Sequence, residues 1–273
     1  MRYYKGFIAL SDAYDVPVLL HIRNARAICT GQLCELIALD GIEQPARSFR
    51  WRIARLETAG LIARANAFQY FGKPVYAITQ SGLNFLESRG HSLVSLPNTT
   101  DQIIHPSQIP HALELVNIRI ALATGGILRS WKCELEIASR NLLLENSVTK
   151  DYDAIAEIDV DGTSRGFAIE YERSAKASTR YRAIREALDK DNAVDTVLYL
   201  TPNDDILYLL AVELRASKKR IGFALSESFR RSLLDTQTLL NTEASEVVPF
   251  RDLFAVPDLL NFIPSGGVQA PGL

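Results

Sequence analysis

The sequence predicts an α/β chain built as two units, and three observations carry that reading. The first is a helical, arginine-bearing stretch near residues 44–58 that ends on a glycine and runs into an extended segment. The second is a break in periodicity from Gly90 to Pro110, where Pro97, Pro106 and Pro110 stand among Ser, Asn and Thr. The third is a change of pattern from His111 onward, where helical stripes alternate with short apolar runs of the kind that buried parallel strands show. Residues 1–95 are expected to form the first unit, 96–109 a linker, 110–262 the second unit and 263–273 a frayed tail.

The stretch from Gln44 to Arg64 is the most informative. With Phe49 as reference, at about 100° per residue, Ile53 and Leu56 fall on the same side and face a core. The opposite side carries Arg47, Arg50, Trp51 and Arg55, with Ser48 among them. Thr58-Ala59-Gly60 closes the helix, with Gly60 where a left-handed C-cap is wanted. Leu61-Ile62-Ala63-Arg64 then starts a strand, Asn66 to Gly72 reads as a loop with Lys73 near its tip, and Pro74 to Ile78 reads as the returning strand. Thr79 is placed to cap a closing helix containing Gly82, Leu83, Phe85 and Leu86. Upstream, Val18, Leu19, Ile22 and Ile28 form the apolar stripe of a first helix. Thr30 is placed to cap a second, with Leu33, Leu36 and Ile37 inward, and Asp40-Gly41 turns the chain. Over residues 14–89 this order resembles winged helix-turn-helix DNA-binding domains. The resemblance implies that the 45–58 helix docks in a major groove, with Arg47, Ser48, Arg50 and Arg55 toward phosphates or bases and Arg64 and Lys73 adding backbone contacts. Trp51 has two readings, a DNA contact or a dimer contact. The bland alternative is a solvated arginine face, and some winged helices bind protein instead.

Charge sharpens the division. The formal net charge of −2 does not announce a nucleic-acid binder. Residues 1–95, however, hold 11 Lys+Arg against 7 Asp+Glu, and the remainder holds 19 against 25. Phosphate affinity is therefore expected in the first unit. Cys29, Cys34 and Cys133 match no zinc spacing and suggest no disulfide framework. Arg2 and Lys5 precede only a short apolar stretch, and the longest apolar run, Ile206 to Val212, falls far short of the roughly 20 residues that span a bilayer. A cytoplasmic protein off the membrane is expected, with no small-molecule cofactor. His21 reads as a packed or surface histidine, and His91 and His105 lie without carboxylate or thiol neighbours.

In the second unit, His111 to Ala123 reads as a helix and Trp131 to Ile137 as an alternating strand. Tyr152 to Val160 and Gly166 to Tyr171 are strands joined at Asp161-Gly162, a strong hairpin dipeptide. Ser174 is expected to open a helix whose buried side is Ala177, Tyr181, Ile184 and Leu188. A strand at 194–200, a helix at 206–214, a strand at 220–225, a long helix at 227–240 and an edge strand at 247–250 follow.

On the second hairpin strand, Glu170 and Glu172 share a face by period-2 alternation, and a hairpin partner can bring Asp153 beside them. Three oxygen donors suit Mg²⁺ or Mn²⁺, which could activate water for phosphodiester cleavage. The order of elements, with Asp153 and the Glu170-Tyr171-Glu172 run, resembles the αβββαβ core of PD-(D/E)XK nucleases, a restriction-endonuclease-like fold. That resemblance implies Asp153 and Glu170 as metal ligands. Glu172 stands where the family has lysine, and Lys176 is a candidate for the missing cation. Glu134 is a further acidic candidate. The alternative pairs Glu170 with Arg173, or another cation, as an ion pair. Together with the N-terminal pattern, His111…Asn117, Trp131…Glu134, Asp153-Ala154 and Phe167 to Arg173 resemble the replication-relaxation family of plasmids and mobile elements. The expectation is a homodimeric, sequence-specific binder of double-stranded DNA acting in replication, mobilisation or transcriptional control. A Mg²⁺-dependent endonuclease and a protein assembly factor are the alternatives.

Overall fold

A computed structural model describes residues 10–42, 46–70, 72–93, 104–144, 150–242 and 246–255. The architecture is mixed α/β with one small and one large sheet. The tail from 263, residues 96–103 of the expected linker and Gln44 lie outside the described residues. No helix among the described residues is long and apolar enough to cross a membrane.

The N-terminal unit begins with helix α1 (Asp15–Ala25), whose Val18, Leu19 and Ile22 are fully buried. Arg26, at φ 62°, ends it. Ile28 does not continue the α1 stripe as expected: it forms strand β1 (Ile28–Cys29) and pairs with Tyr76. Helix α2 (Thr30–Leu39) is capped by Cys29, not by Thr30. The Cys29 N–H donates to Gln32 Oε1 at 3.1 Å, so a side chain three residues ahead satisfies the cap position and moves it back by one. Helix α3 (Ala46–Thr58) buries Phe49, Ile53 and Leu56, as the periodicity requires. It ends in a Schellman motif: Gly60, at φ 69°, donates to Glu57 O at 2.9 Å, and Leu61 N donates to Leu56 O at 3.0 Å. Strand β2 (Ile62–Tyr70) then runs to its turn, so the segment read as a loop from Asn66 is strand as far as Tyr70. Strand β3 (Lys73–Ile78) returns, with a register shift between Arg64 and Gln69. The small sheet has the order β1-β3-β2, all antiparallel. Thr79 caps helix α4 (Gln80–Ser88) by accepting from Gly82 N at 3.1 Å.

Helix α5 (Ile109–Thr124) opens the C-terminal unit, after a 3₁₀ turn at Pro106–Gln108. Its sheet has seven strands in the order β10-β9-β8-β7-β6-β5-β4. These are β4 (Leu128–Cys133), β5 (Ala154–Val160), β6 (Thr163–Tyr171), β7 (Thr196–Thr201), β8 (Arg220–Leu225), β9 (Gln237–Leu240) and β10 (Val247–Pro249). Strands β6, β7 and β8 run parallel, and the remaining neighbours are antiparallel. The β5–β6 turn holds Asp161 at φ 50° and Gly162 at φ 82°, both positive as a type I′ hairpin requires. One sheet face is covered by α5 and α9 (Ser226–Ser232), with Ile118, Leu122, Phe229 and Phe250 in that core. The other is covered by α6 (Glu134–Leu143), α7 (Ser178–Lys190) and α8 (Asp204–Leu214), through Ile137, Tyr181, Leu188 and Leu210.

Three expectations are corrected here. The alternation from Trp131 to Ile137 is strand only to Cys133, because Glu136 accepts from Cys133 N at 3.0 Å and nucleates α6. The chain after Ser174 is not yet helical at Ala177, which is an exposed N-cap in extended conformation and not part of the buried face. The long helix at 227–240 stops at Ser232: Leu233 is left-handed at φ 45°, and Gln237–Leu240 pairs with the edge of β8, burying Thr238 completely.

Gly82 marks the closest approach of α4 to the small sheet. A Cβ there would overlap the Leu61 carbonyl oxygen and stand 2.7 Å from Ile78 Cγ1. Gly82→Ala is therefore expected to destabilise by about 1–3 kcal/mol, as overpacking against backbone does. Urea unfolding checks this: an unchanged midpoint would show that α4 can shift freely.

Candidate functional site

Two regions gather the candidate residues. On α3, Arg47, Ser48, Arg50 and Trp51 are exposed, Trp51 at 53%. The side chains of Arg47 and Arg50 make no hydrogen bond or ion pair with a described residue. Arg55 departs from the expectation. It turns inward to Asp15 of α1, with Nη2 at 2.6 Å from Oδ1 and 2.5 Å from Oδ2. Arg52 joins it at 2.6 Å, and Ser11 N donates to the same carboxylate at 2.7 Å. Asp15 is fully buried, so an unpaired charge there would be costly, and two guanidinium groups neutralise it. This pair fixes α3 against α1, and Arg55 also stacks on Trp51 at 4.9 Å. Arg64 is exposed but paired with Glu57 at 2.9 Å. Lys73 is exposed and lies across the start of α2: a Cβ on Gly31 would be 2.7 Å from its Nζ. Between α3 and the hairpin runs a groove of about 490 Å³, lined by Thr30, Arg50, Ile53, Arg64, Lys73 and Tyr76 among others.

The second region lies where β5 starts and β6 ends. Ala154 pairs with Ile169, so continuing the register sets Asp153 opposite Glu170. Asp153 Oδ2 accepts from Tyr171 N at 2.7 Å and lies 3.0 Å from His111 Nε2 on α5. Glu170 is ion-paired with Lys150, whose ammonium also sits over the Tyr152 ring at 4.6 Å. Glu170 thus has a cation partner as the ion-pair alternative required, but it is Lys150. Arg173 donates instead to Ser107 O at 3.0 Å. Glu172 is buried and paired with Lys176, which precedes the helix instead of lying one turn into it. Glu134 sits in the first turn of α6, off the sheet, and bonds Arg26 at 2.9 Å.

Each of the three carboxylates therefore has its own partner: His111 for Asp153, Lys150 for Glu170 and Lys176 for Glu172. A Mg²⁺ site needs several oxygens converging on one point. No group of three or more His, Cys, Asp or Glu side chains among the described residues is arranged to hold a metal ion. The residues as placed do not fit the metal cage that the pattern suggested, and no step is routed through one. The buried Tyr152 hydroxyl faces Asp191, and the buried Tyr199 hydroxyl has no hydrogen-bond partner among the described residues.

Sequence reasoning missed His111, Lys150, Asp15 and Arg52. Each works across a long sequence separation: Lys150 stands three residues before Asp153, Arg52 beside Trp51, and His111 entered only the family resemblance, yet their partners lie far along the chain. Of the two readings of His21, packed or surface, the structure has it packed, with Nε2 2.7 Å from Asp40 and a pKa lowered by burial and by Arg119. Comparisons with family models, curated proteins and solved structures return no match.

Burial, with the Asp153 charge beside it, pushes the Glu170 carboxyl up to about 7 against the opposing pull of Lys150. His111 is also raised: burial opposes its charge, but the hydrogen bond and charge of Asp153, with Glu134 and Glu170, outweigh it. Both shifts make the folded chain hold protons that the unfolded chain releases. Their stabilisation is present at low pH and is lost as pH rises, from the ordinary 4.5 of glutamate through about 7 for Glu170 and through a value above 6.5 for His111. Urea midpoints are expected to fall between these values in the wild type and to fall less in Glu170→Gln. Equal slopes in the two proteins would contradict the assigned Glu170 shift.

Proposed function

We propose that this chain is a duplex-DNA-binding protein that presents α3 to a major groove. In this reading residues 10–93 are a winged helix-turn-helix, with β2–β3 as the wing, and the C-terminal unit is a restriction-endonuclease-like scaffold. The observation that carries it is the division of the α3 arginines. Arg52 and Arg55 are consumed by Asp15, which holds the helix in place. Arg47 and Arg50 face solvent beside Ser48 and Trp51, free of partners among the described residues. Lys73 at the wing turn and Thr30 at the start of α2 border the same groove, where phosphates flanking a docked helix would lie. A homodimer belongs to this reading, because one recognition helix reads only one half-site. The replication-relaxation likeness, and with it a role in replication, mobilisation or transcription of a mobile element, belongs here too.

Arg47→Ala and Arg50→Ala are expected to weaken duplex binding by about 1–3 kcal/mol for each contact that reads a base. Asp15 is left intact, so the fold is kept. Gel shifts of the double variant at about 0.15 M salt, near physiological ionic strength, check this. Wild-type affinity would show that α3 is not the docking helix.

A second reading, a Mg²⁺-dependent endonuclease, is favoured by one feature: Asp153 and Glu170 meet at the start of the β5–β6 hairpin with a lysine on Glu170. The compensated carboxylates weigh against it. No nicking of supercoiled plasmid is expected with Mg²⁺ or Mn²⁺. Nicking that disappears in Glu170→Gln would establish the nuclease.

A further inference from the structure

Residues 173–185 read Arg-Ser-Ala-Lys-Ala-Ser-Thr-Arg-Tyr-Arg-Ala-Ile-Arg, five cationic side chains without a carboxylate. They stand in the acidic half of the chain, where such a run is unexpected. Every residue from Arg173 to Arg180 is exposed, as is Arg182. The run leaves β6 beside Glu170 and Glu172 and continues into the first turns of α7.

A merely solvated helix face would pair these charges with acids one turn away. Lys176, ahead of the helix, pairs with Glu172; for the helix arginines the acids exist, and the pairs are not made among the described residues. Glu186 lies four residues after Arg182, yet no ion pair joins them among the described residues. Asp189 lies four residues after Arg185, but its Oδ1 accepts from Ser217 Oγ at 2.7 Å and Lys218 N at 2.8 Å. Arg180 and Arg182 make no hydrogen bond or ion pair with a described residue through their side chains. Of the carboxylates beside the run, Glu170 and Glu172 are paired with Lys150 and Lys176, and Glu213 is engaged by Ser178, whose Oγ donates to it at 2.6 Å. Between the cations stand only Ser, Ala, Thr, Ile and the inward-facing Tyr181, leaving a low surface that a broad polyanion can approach. Arginine's planar fork matches phosphate oxygens two at a time.

We infer that Arg173, Lys176, Arg180 and Arg182 form a second contact surface, on the C-terminal unit, for the phosphate backbone of duplex DNA. This rests on the reading of the chain as a DNA binder and adds a sequence-independent anchor to the contacts of α3. Arg180 and Arg182 are its free members, and Lys176 links it to the compensated carboxylates.

The test measures affinity of the full chain for a labelled random-sequence duplex across a salt series. Each lost phosphate contact lowers the slope of log K against log salt by about 0.9. Arg180→Gln with Arg182→Gln is expected to lower it by about 1.8, and Arg180→Lys with Arg182→Lys to keep most of it. Both residues are exposed, and an unchanged melting temperature verifies the fold. Should the Gln pair keep the wild-type slope while Arg47→Ala with Arg50→Ala loses binding, the second surface is wrong and the α3 reading stands. Should the chain bind no duplex at all, both fall. A slope lowered by both pairs, additively when combined, establishes two separate anchors.

Discussion

Helix α5 is apolar on more than one side, and the rest of the molecule is arranged around the need to cover it. Ile109, Ala112 and Leu113 pack with Ala27, Cys29, Val75 and Ala77 of the N-terminal unit. Val116 joins the core under α1–α4, while Ile118 and Leu122 enter the core of the large sheet. A helix that is apolar nearly all round must be buried from several directions. Gln32 of α2 adds direction to this packing, donating to Leu113 O and Asn117 Oδ1, both at 2.7 Å. The joint is therefore packed: Ile104 and Ile109, at the end of the Pro-rich stretch, are themselves buried.

That shared helix also connects the two candidate regions. His111 in its first turn holds Asp153 of the large sheet, while the same turn packs on the small sheet beneath the hairpin. Arg26–Glu134 and Asn24–Glu136 bridge the units on the other side of a cavity of about 280 Å³ that His111 and Asp153 line. The carboxylates at the β5–β6 hairpin are partnered individually, Asp153 by His111 and Glu170 and Glu172 by lysines. Such an arrangement stabilises a sheet end and leaves it electrostatically quiet.

Much of the N-terminal unit was legible in the chain because its signals are local. The Phe49-Ile53-Leu56 stripe, the glycine at position 60 and the Thr79 cap each act within a few residues, as does the Asp161-Gly162 turn in the C-terminal unit. Where two local signals competed, the reading failed. Trp131, Cys133, Leu135 and Ile137 alternate as a strand should, but Glu136 caps Cys133 and the helix wins. At Thr236 to Leu240 the helical stripe was outweighed by an open sheet edge, which no local pattern reports.

The sequence by itself determined the alternation of elements, the basic N-terminal half and the outward placement of Arg47, Arg50 and Trp51. Periodicity and charge are properties of neighbours along the chain, so they can be read without the fold. Only the tertiary structure decided which charges are free. Asp15 lies 40 residues from Arg55 and removes it from the surface; Lys150 lies 20 from Glu170, and His111 lies 42 from Asp153. A buried carboxylate must find a cation or donor wherever the fold brings one. Sequence spacing places Asp153, Glu170 and Glu172 together but does not say which partners reach them first.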